Sequence, residues 1–250
     1  MKNLLAITVA GQLKWLEEAI STLQDDLDIL VVDDATSGIK EFCKKREVNL
    51  VTKTKPQGLT NSWNLAYQYL KQNNYDNCIL SNDDVRFPMG FSEGLIDGLK
   101  EFDLIGPLTN NPGYGHDCES SPFSQNVRRY IDLNPTRKNT IDIQQILLER
   151  YRSSPFKQSK FINGFLLAFS STVVKFAYNE QYLFDPSNIN VGNEFDLASR
   201  MQERGGKIGI SKISYVFHWK AKTTEKLDKA GGQSTHLRGR PKDYREQLWR

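Results

Sequence analysis

Cysteine is scarce in this 250-residue chain: there are three, Cys43, Cys78 and Cys118, odd in number and widely spaced. That suits free thiols in a reducing compartment better than a disulfide framework and offers no zinc-type ligand spacing, so a cytoplasmic protein is expected. Long hydrophobic runs are missing too, and no apolar stretch approaches the ~18 residues that a membrane-spanning helix needs. Met1 to Gly11 has the outline of a weak signal peptide, with Lys2 ahead of Leu4-Leu5-Ala6-Ile7-Thr8-Val9-Ala10. The run is short and passes straight into Lys14-Trp15-Leu16-Glu17-Glu18 without a cleavage pattern, so it reads as a first strand. Internal repeats and long low-complexity segments are absent as well. Net charge is small, +3, but uneven: residues 220–250 hold nine Lys/Arg against four Asp/Glu, a net +5 that leaves −2 for the remainder. Such a basic end either meets phosphates, anionic lipid or nucleic acid, or is simply solvated. It has no ordered basic and aromatic alternation, so nucleic-acid binding is not expected.

With 38% hydrophobic residues the chain can bury a substantial core as one large domain or a domain with a long insertion. Leu4 to Ala10 predicts a strand buried on both faces, and Leu13 to Leu23 spaces Leu16, Ala19, Ile20 and Leu23 as a helix. Asp28 to Val32 predicts a second strand ending in Asp33-Asp34, followed by a helix to about Arg46 and a third strand over Val48 to Thr52. Lys55-Pro56-Gln57-Gly58 is a turn, after which Thr60 or Asn61 is expected to cap a helix carrying Trp63, Leu65, Ala66, Tyr69 and Leu70. Cys78 to Leu80 is the fourth strand. Strands alternating with helices at this spacing imply a mostly parallel sheet with helices on both faces. Beyond Pro88 a short helix is expected near Ser92 to Lys100, a strand near Leu104 to Leu108 and a helix from Thr140 to Arg152. Asn, Pro, Gly, Ser and aromatics dominate between them, and a long irregular segment in a compact domain is usually functional or disordered. Asn193 to about Arg204 predicts a helix, and Ile208 to Ile210 and Ser214 to Phe217 predict two late strands.

The fourth strand leaves the sheet at Asn82-Asp83-Asp84, where open α/β sheets bind ligands. Adjacent carboxylates repel and cost desolvation unless solvent or a cation compensates them, and hard divalent ions prefer such oxygens. A solvated turn is the other reading, since Asn and Asp are ordinary turn formers. The Asp pair ending the second strand argues against two unrelated turns.

In order along the chain, Val31-Val32-Asp33-Asp34-Ala35-Thr36-Ser37, Gly58 with Asn64, Leu80-Ser81-Asn82-Asp83-Asp84-Val85, Asn163-Gly164-Phe165, Phe184-Asp185, Gly192-Asn193-Glu194-Phe195-Asp196-Leu197 with Arg200 and Gly205, and His218 together resemble the family 2-like glycosyltransferases of the GT-A fold. The resemblance covers most of residues 4–223. It implies a GT-A-type sheet with a nucleotide-sugar half over about 1–108, an acceptor and catalytic-base half over about 109–219, and a basic extension at 220–250. It departs from the family pattern at Asn82, where many members have the first Asp of an Asp-x-Asp motif, and at Asn193-Glu194, which replaces a Glu-Asp pair.

By this resemblance Asp84 and His218 are metal ligands for Mn2+ or Mg2+, and Asp83 and Asn82 lie against the donor ribose or sugar. Thr8, Asp33 and Asp34 hold the nucleotide base, with Gly58 and Asn64 beside the donor. Each residue has a plainer reading: His218 as a strand-end histidine, Asp33 or Asp34 as a helix cap, Asn64 as an amide on a helix. Glu194 is the candidate general base for deprotonating an acceptor hydroxyl, with Asp196 as its competitor, and either acid also complements a helix dipole. Trp63, Tyr114, Phe123, Tyr130 and Trp219 either stack on sugars or pack the core and loops. The expected activity is metal-dependent, inverting transfer from a nucleotide-diphosphate sugar to an unspecified glycan, lipid-linked or protein acceptor. A nucleotidyltransferase is a weaker fit, because Gly11-Gln12-Leu13-Lys14 is a poor phosphate loop, and a catalytically silent sugar- or nucleic-acid-binding module is weaker again. Part of the basic extension, hinged at Gly231-Gly232 and carrying Arg238, Arg240 and Arg245, is expected to fold over the diphosphate or acceptor.

Overall fold

The computed structural model describes residues 1–112, 124–190 and 192–219. The basic extension, Cys118, Tyr114 and Phe123 lie outside the described residues. Ten strands and six α-helices follow in order: β1 (Asn3–Val9), α1 (Leu13–Thr22), β2 (Asp28–Asp33), α2 (Ile39–Arg46), β3 (Asn49–Thr52), α3 (Leu59–Gln72), β4 (Asn77–Asn82), β5 (Val85–Arg86), α4 (Glu93–Gly98), β6 (Leu104–Leu108), α5 (Thr140–Tyr151), β7 (Phe156–Ser159), β8 (Leu166–Ser170), α6 (Asn193–Glu203), β9 (Ile208–Tyr215) and β10 (Phe217–His218) among the described residues. An eight-stranded sheet runs β3-β2-β1-β4-β8-β6-β9-β7.

The continuous apolar character of the first strands has a direct structural cause. Side chains alternate across a strand, so Leu4, Ala6, Leu30, Val32 and Leu80 face α3 and meet Trp63, Ala66, Tyr67 and Leu70. Leu5, Ile7, Val31 and Ile79 face the other way and meet Leu16 and Ala19 of α1 and Ile39 and Cys43 of α2. Both faces are covered, as a parallel sheet of crossover units requires. Each fully buried aliphatic contributes roughly 1.5–3 kcal/mol relative to exposure. Within Met1 to Gly11, Asn3–Val9 is therefore strand β1.

Pairing is parallel through β3, β2, β1 and β4. It then reverses at β8, which is antiparallel to both β4 and β6. β9 is parallel to β6, and β7 is antiparallel to β9 at the edge. Two reversals return β6 and β9 to the direction of β1, so six strands present their carboxyl ends on one edge, and the loop entering β8 reaches that edge as well. This topology assembles the site.

Two local expectations are corrected, and one edge strand was not foreseen. Residues 208–217 hold one long strand and a short second one, because Ser211–Tyr215 stays on β6 across a register shift at Pro107/Leu108. The edge strand β7, Phe-Lys-Gln-Ser, has no alternating apolar pattern because half-exposed edge positions do not demand one. Neither Thr60 nor Asn61 caps α3: Gly58 precedes it, and the first helical N–H groups, on Leu59 and Thr60, donate to Asn190 Oδ1 and the Ile189 carbonyl at 3.1 and 3.0 Å.

Gly58 has φ +85°, and a Cβ there would stand 2.6 Å from Ile189 Cγ2 and 2.8 Å from the Ile189 carbonyl oxygen. Gly58→Ala is expected to destabilise the protein by roughly 2–5 kcal/mol, combining left-handed strain of about 1–2 with a packing clash of about 1–3. Gly90 has φ +80° with nothing within 4 Å of its Cβ position, so Gly90→Ala should show the strain alone. Denaturant unfolding of both variants checks this; equal losses would remove the close approach from the account.

Candidate functional site

The carboxyl end of β4 is the centre of the site. Asn82 N donates to Phe165 O at 2.9 Å, which fixes the loop entering β8 beside it. The side-chain oxygen Oδ1 of Asn82 is buried with no hydrogen-bond partner among the described residues. Such an atom costs about 1–3 kcal/mol and suits a hydroxyl-bearing ligand. Asp83 and Asp84 are 3% and 4% exposed, well removed from a solvated turn.

His218 reaches Asp84 through the short ribbon of β5 and β10, in which His218 pairs with Val85. Its Nε2 lies 3.4 Å from Asp84 Oδ1. The Trp219 amide donates to Asp84 O at 2.9 Å. Asn110 clamps the histidine backbone, accepting from His218 N at 2.7 Å and donating to His218 O at 3.0 Å. The ring lies against Phe165, with centroids 4.8 Å apart, and Nδ1 sits 2.9 Å from the Asn111 carbonyl.

That carbonyl assigns the tautomer: Nδ1 carries the proton, so Nε2 of the neutral ring turns a lone pair toward Asp84 Oδ1. Two acceptors then face each other in a buried setting, an arrangement that a second ring proton or a shared cation stabilises. A histidine whose outer nitrogen is held by a backbone carbonyl is the usual form of a metal-ligating one. The donor set, one carboxylate oxygen and one imidazole nitrogen, fits Mn2+ better than the harder Mg2+. Among the described residues no third His, Cys, Asp or Glu joins the pair.

At the end of β2, Asp33 is 2% exposed and accepts from Thr36 N at 2.7 Å, forming a turn ahead of α2. Burial pushes its carboxyl above the usual carboxylate range, against the Thr36 hydrogen bonds. Thr36 Oγ1 in turn accepts from Gly11 N at 2.8 Å, and Thr8 Oγ1 donates to Ser81 O at 3.3 Å, so the ends of β1, β2 and β4 are knit together. Asp34 is engaged by the protein: Lys53 Nζ lies 2.7 Å from Oδ1, and Gln57 N and Gly58 N donate to the carboxylate at 2.7 and 3.1 Å. Burial pulls the Lys53 ammonium below the usual lysine range, opposed by Asp34.

On the other side, Glu194 occupies the first turn of α6. A Cβ built on Gly164 would stand 3.1 Å from Glu194 Cδ and 2.6 Å from Trp63 Cη2. Glu194 thus lies over Gly164, whose neighbour Phe165 touches both Asn82 and His218. Its competitor Asp196 binds Arg200 one turn on at 2.7 Å, and Arg200 Nη2 also donates to Leu183 O at 3.0 Å and Nη1 to Phe176 O. Asp196 therefore belongs to a tie between α6 and the 176–183 segment.

Asn82, Asp83, Asp84, His218, Gly164 and Glu194 come together, with Thr8 and Asp33 along the same edge. Asn64 does not: its buried amide donates to Phe184 O and accepts from Phe184 N, both at 2.9 Å. Gly58 serves the start of α3. Trp63 packs on Phe184 in the core, and Trp219 lies 5.5 Å from Trp15. Sequence reasoning missed Lys53 and Asn110-Asn111. A polar pair just past the apolar β6 was the available signal for Asn110-Asn111; a lone Lys after β3 carried none.

No protein-family model matches the chain, and no curated protein matches it in sequence. Solved structures do. The crystal structure of GalNAc-T7 with UDP, GalNAc and Mn2+ aligns with TM-score 0.61 at 15% identity over 87% of this chain and 43% of that one. Staphylococcus aureus TarS 1–349 in complex with UDP aligns with TM-score 0.56 at 14% identity over 91% and 63%, respectively. A second crystal structure of TarS 1–349 aligns with TM-score 0.54 at 14% identity over 92% and 64%. The chain spans less than two thirds of each of these neighbours.

Proposed function

From the GT-A glycosyltransferase fold of this chain, we propose that it transfers a sugar from a nucleotide-diphosphate donor to an acceptor hydroxyl, with inversion and with a divalent cation. The observation that carries the reading is the convergence of Asp84, His218 and Glu194 on one sheet edge from three distant stretches of chain. The solved neighbours that hold UDP, one of them with Mn2+, support the donor class.

In this reading Asp33 and Thr8 lie against the base and ribose, where a buried carboxylate accepts from imide or hydroxyl donors. Asn82 Oδ1 and Asp83 take sugar or ribose hydroxyls. Asp84 and His218 hold the cation, which when bound neutralises charge developing on the leaving diphosphate. Asn111 and Phe165 keep the imidazole turned toward Asp84. Glu194 removes the acceptor proton as that oxygen attacks the anomeric carbon. Asp196, bound to Arg200, holds the helix that carries the base.

Calorimetry with UDP, GDP and dTDP, with Mn2+ and with chelator, tests the donor and metal assignments. At least one nucleotide should bind more tightly with Mn2+. Affinities unaffected by chelation for all three would overturn the metal assignment, and no nucleotide binding at all would overturn the function.

A further inference from the structure

We infer that the first turn of α3 and the 188–193 segment form a bracket that positions Glu194, with Asn190 as its key positioning residue; this rests on the proposed role of Glu194 as the base. The placement of a helix's first turn depends on the chain that leads into it, and here residues 188–190 and 192 belong to no helix or strand. Gly192, in the left-handed region at φ +81°, makes the final turn before Asn193 and Glu194. What holds this segment is α3. Asn190 Oδ1 accepts from Leu59 N at 3.1 Å and the Ile189 carbonyl accepts from Thr60 N at 3.0 Å. Thr60 Oγ1 donates to the Asn188 carbonyl and accepts from Asn193 Nδ2 at 3.0 Å, while Asn193 Oδ1 accepts from Glu194 N at 3.0 Å.

The arrangement is reciprocal. A helix start leaves several N–H groups unsatisfied, and they are usually met by a local side chain. Gly58 has no side chain to offer, so the partners come from the remote segment, which gains a rigid helix end to rest on. The same turn is tied on its other flank to the end of β2, because Asp34 accepts from Gln57 N and Gly58 N. One turn of α3 therefore braces the nucleotide-side strand against the chain entering the base. A misplacement of about 1 Å at a reacting group can cost on the order of 10²-fold in rate, so loosening the bracket should appear in the chemical step.

Asn190→Ala and Asn190→Asp decide the matter, assayed with Mn2+ as nucleotide release from UDP-, GDP- and dTDP-sugars. Asn190→Ala should lower kcat by about 10–100-fold with donor KM and nucleotide affinity nearly unchanged. Asn190→Asp should retain kcat, because it keeps the accepting oxygen at a helix start where a negative charge is favourable. A merely structural role predicts a lower Tm with full kcat below it, and that result overturns the bracket, as does an equal loss of kcat in both variants. If Asn190→Ala does not fold, Thr60→Val removes the shared hydroxyl at similar volume and should show the same loss of kcat; full kcat there overturns the inference too. Glu194→Gln is run beside them. Full activity in Glu194→Gln removes the base assignment and the bracket with it, whereas an inactive Glu194→Gln beside a fully active Asn190→Ala removes only the bracket.

Discussion

Glu194→Gln should abolish sugar transfer while leaving the fold and nucleotide binding in place. The substitution preserves size and hydrogen bonding but cannot accept a proton, and a general base typically contributes about 10²–10⁴-fold in rate. A glutamate that only complements the α6 dipole would behave differently, costing about 0.3–1 kcal/mol of stability with turnover nearly intact. Asp196→Asn is the matched comparison. Its carboxylate pairs with Arg200 at 26% and 12% side-chain exposure, so its loss should cost about 0.3–0.5 kcal/mol and leave most of the rate. Rates at saturating donor, with melting temperatures for both proteins, separate the cases. An active Glu194→Gln beside a dead Asp196→Asn would move the base two residues along; two active variants would remove single displacement with a base in this motif.

Asp84→Asn should remove the Mn2+ dependence of nucleotide binding and lower turnover by roughly 10²-fold or more, since a cation at a leaving diphosphate supplies several kcal/mol of charge stabilisation. The change is isosteric, and the Asp84 backbone carbonyl keeps its bond from the Trp219 amide. His218→Ala should have the same effect on metal dependence with an added loss of stability, because it also gives up the Phe165 contact and the Asn111 hydrogen bond. Calorimetry against Mn2+ titrations distinguishes them. If Asp84→Asn binds nucleotide with wild-type metal dependence, the Asp84 and His218 pair is structural and the facing acceptors share a proton.

Much of the fold was legible along the chain. β1, β2 and β4 announce themselves because strands covered on both faces must be apolar throughout, and α1 and α3 because one helical face must be. The carboxylates at Asp33-Asp34 and Asp83-Asp84 stand out because polar residues ending a buried strand have to meet water, a ligand or each other. The edge strand β7 and the β5 and β10 ribbon were not legible: short, half-exposed pairings are stabilised by partners elsewhere in the chain, and they leave little local pattern.

By itself, then, the sequence determined the order of buried strands and covering helices and the sheet edge at which the polar residues gather, because both follow from local periodicity and the cost of burying charge. It did not decide which of those polar residues face a common space. Asp33 and Asp34 are neighbours in sequence, yet Asp34 is taken up by Lys53 and the turn before α3. Glu194 and Asp196 share one helical turn, yet Asp196 is held by Arg200. Asn64 turns away to hold Phe184, and His218 meets Asp84 only through a short ribbon and the clamp of Asn110. These outcomes depend on antiparallel reversals, register shifts and long-range hydrogen bonds, whose free energies belong to pairs of residues far apart in the chain, so only the tertiary structure decided them.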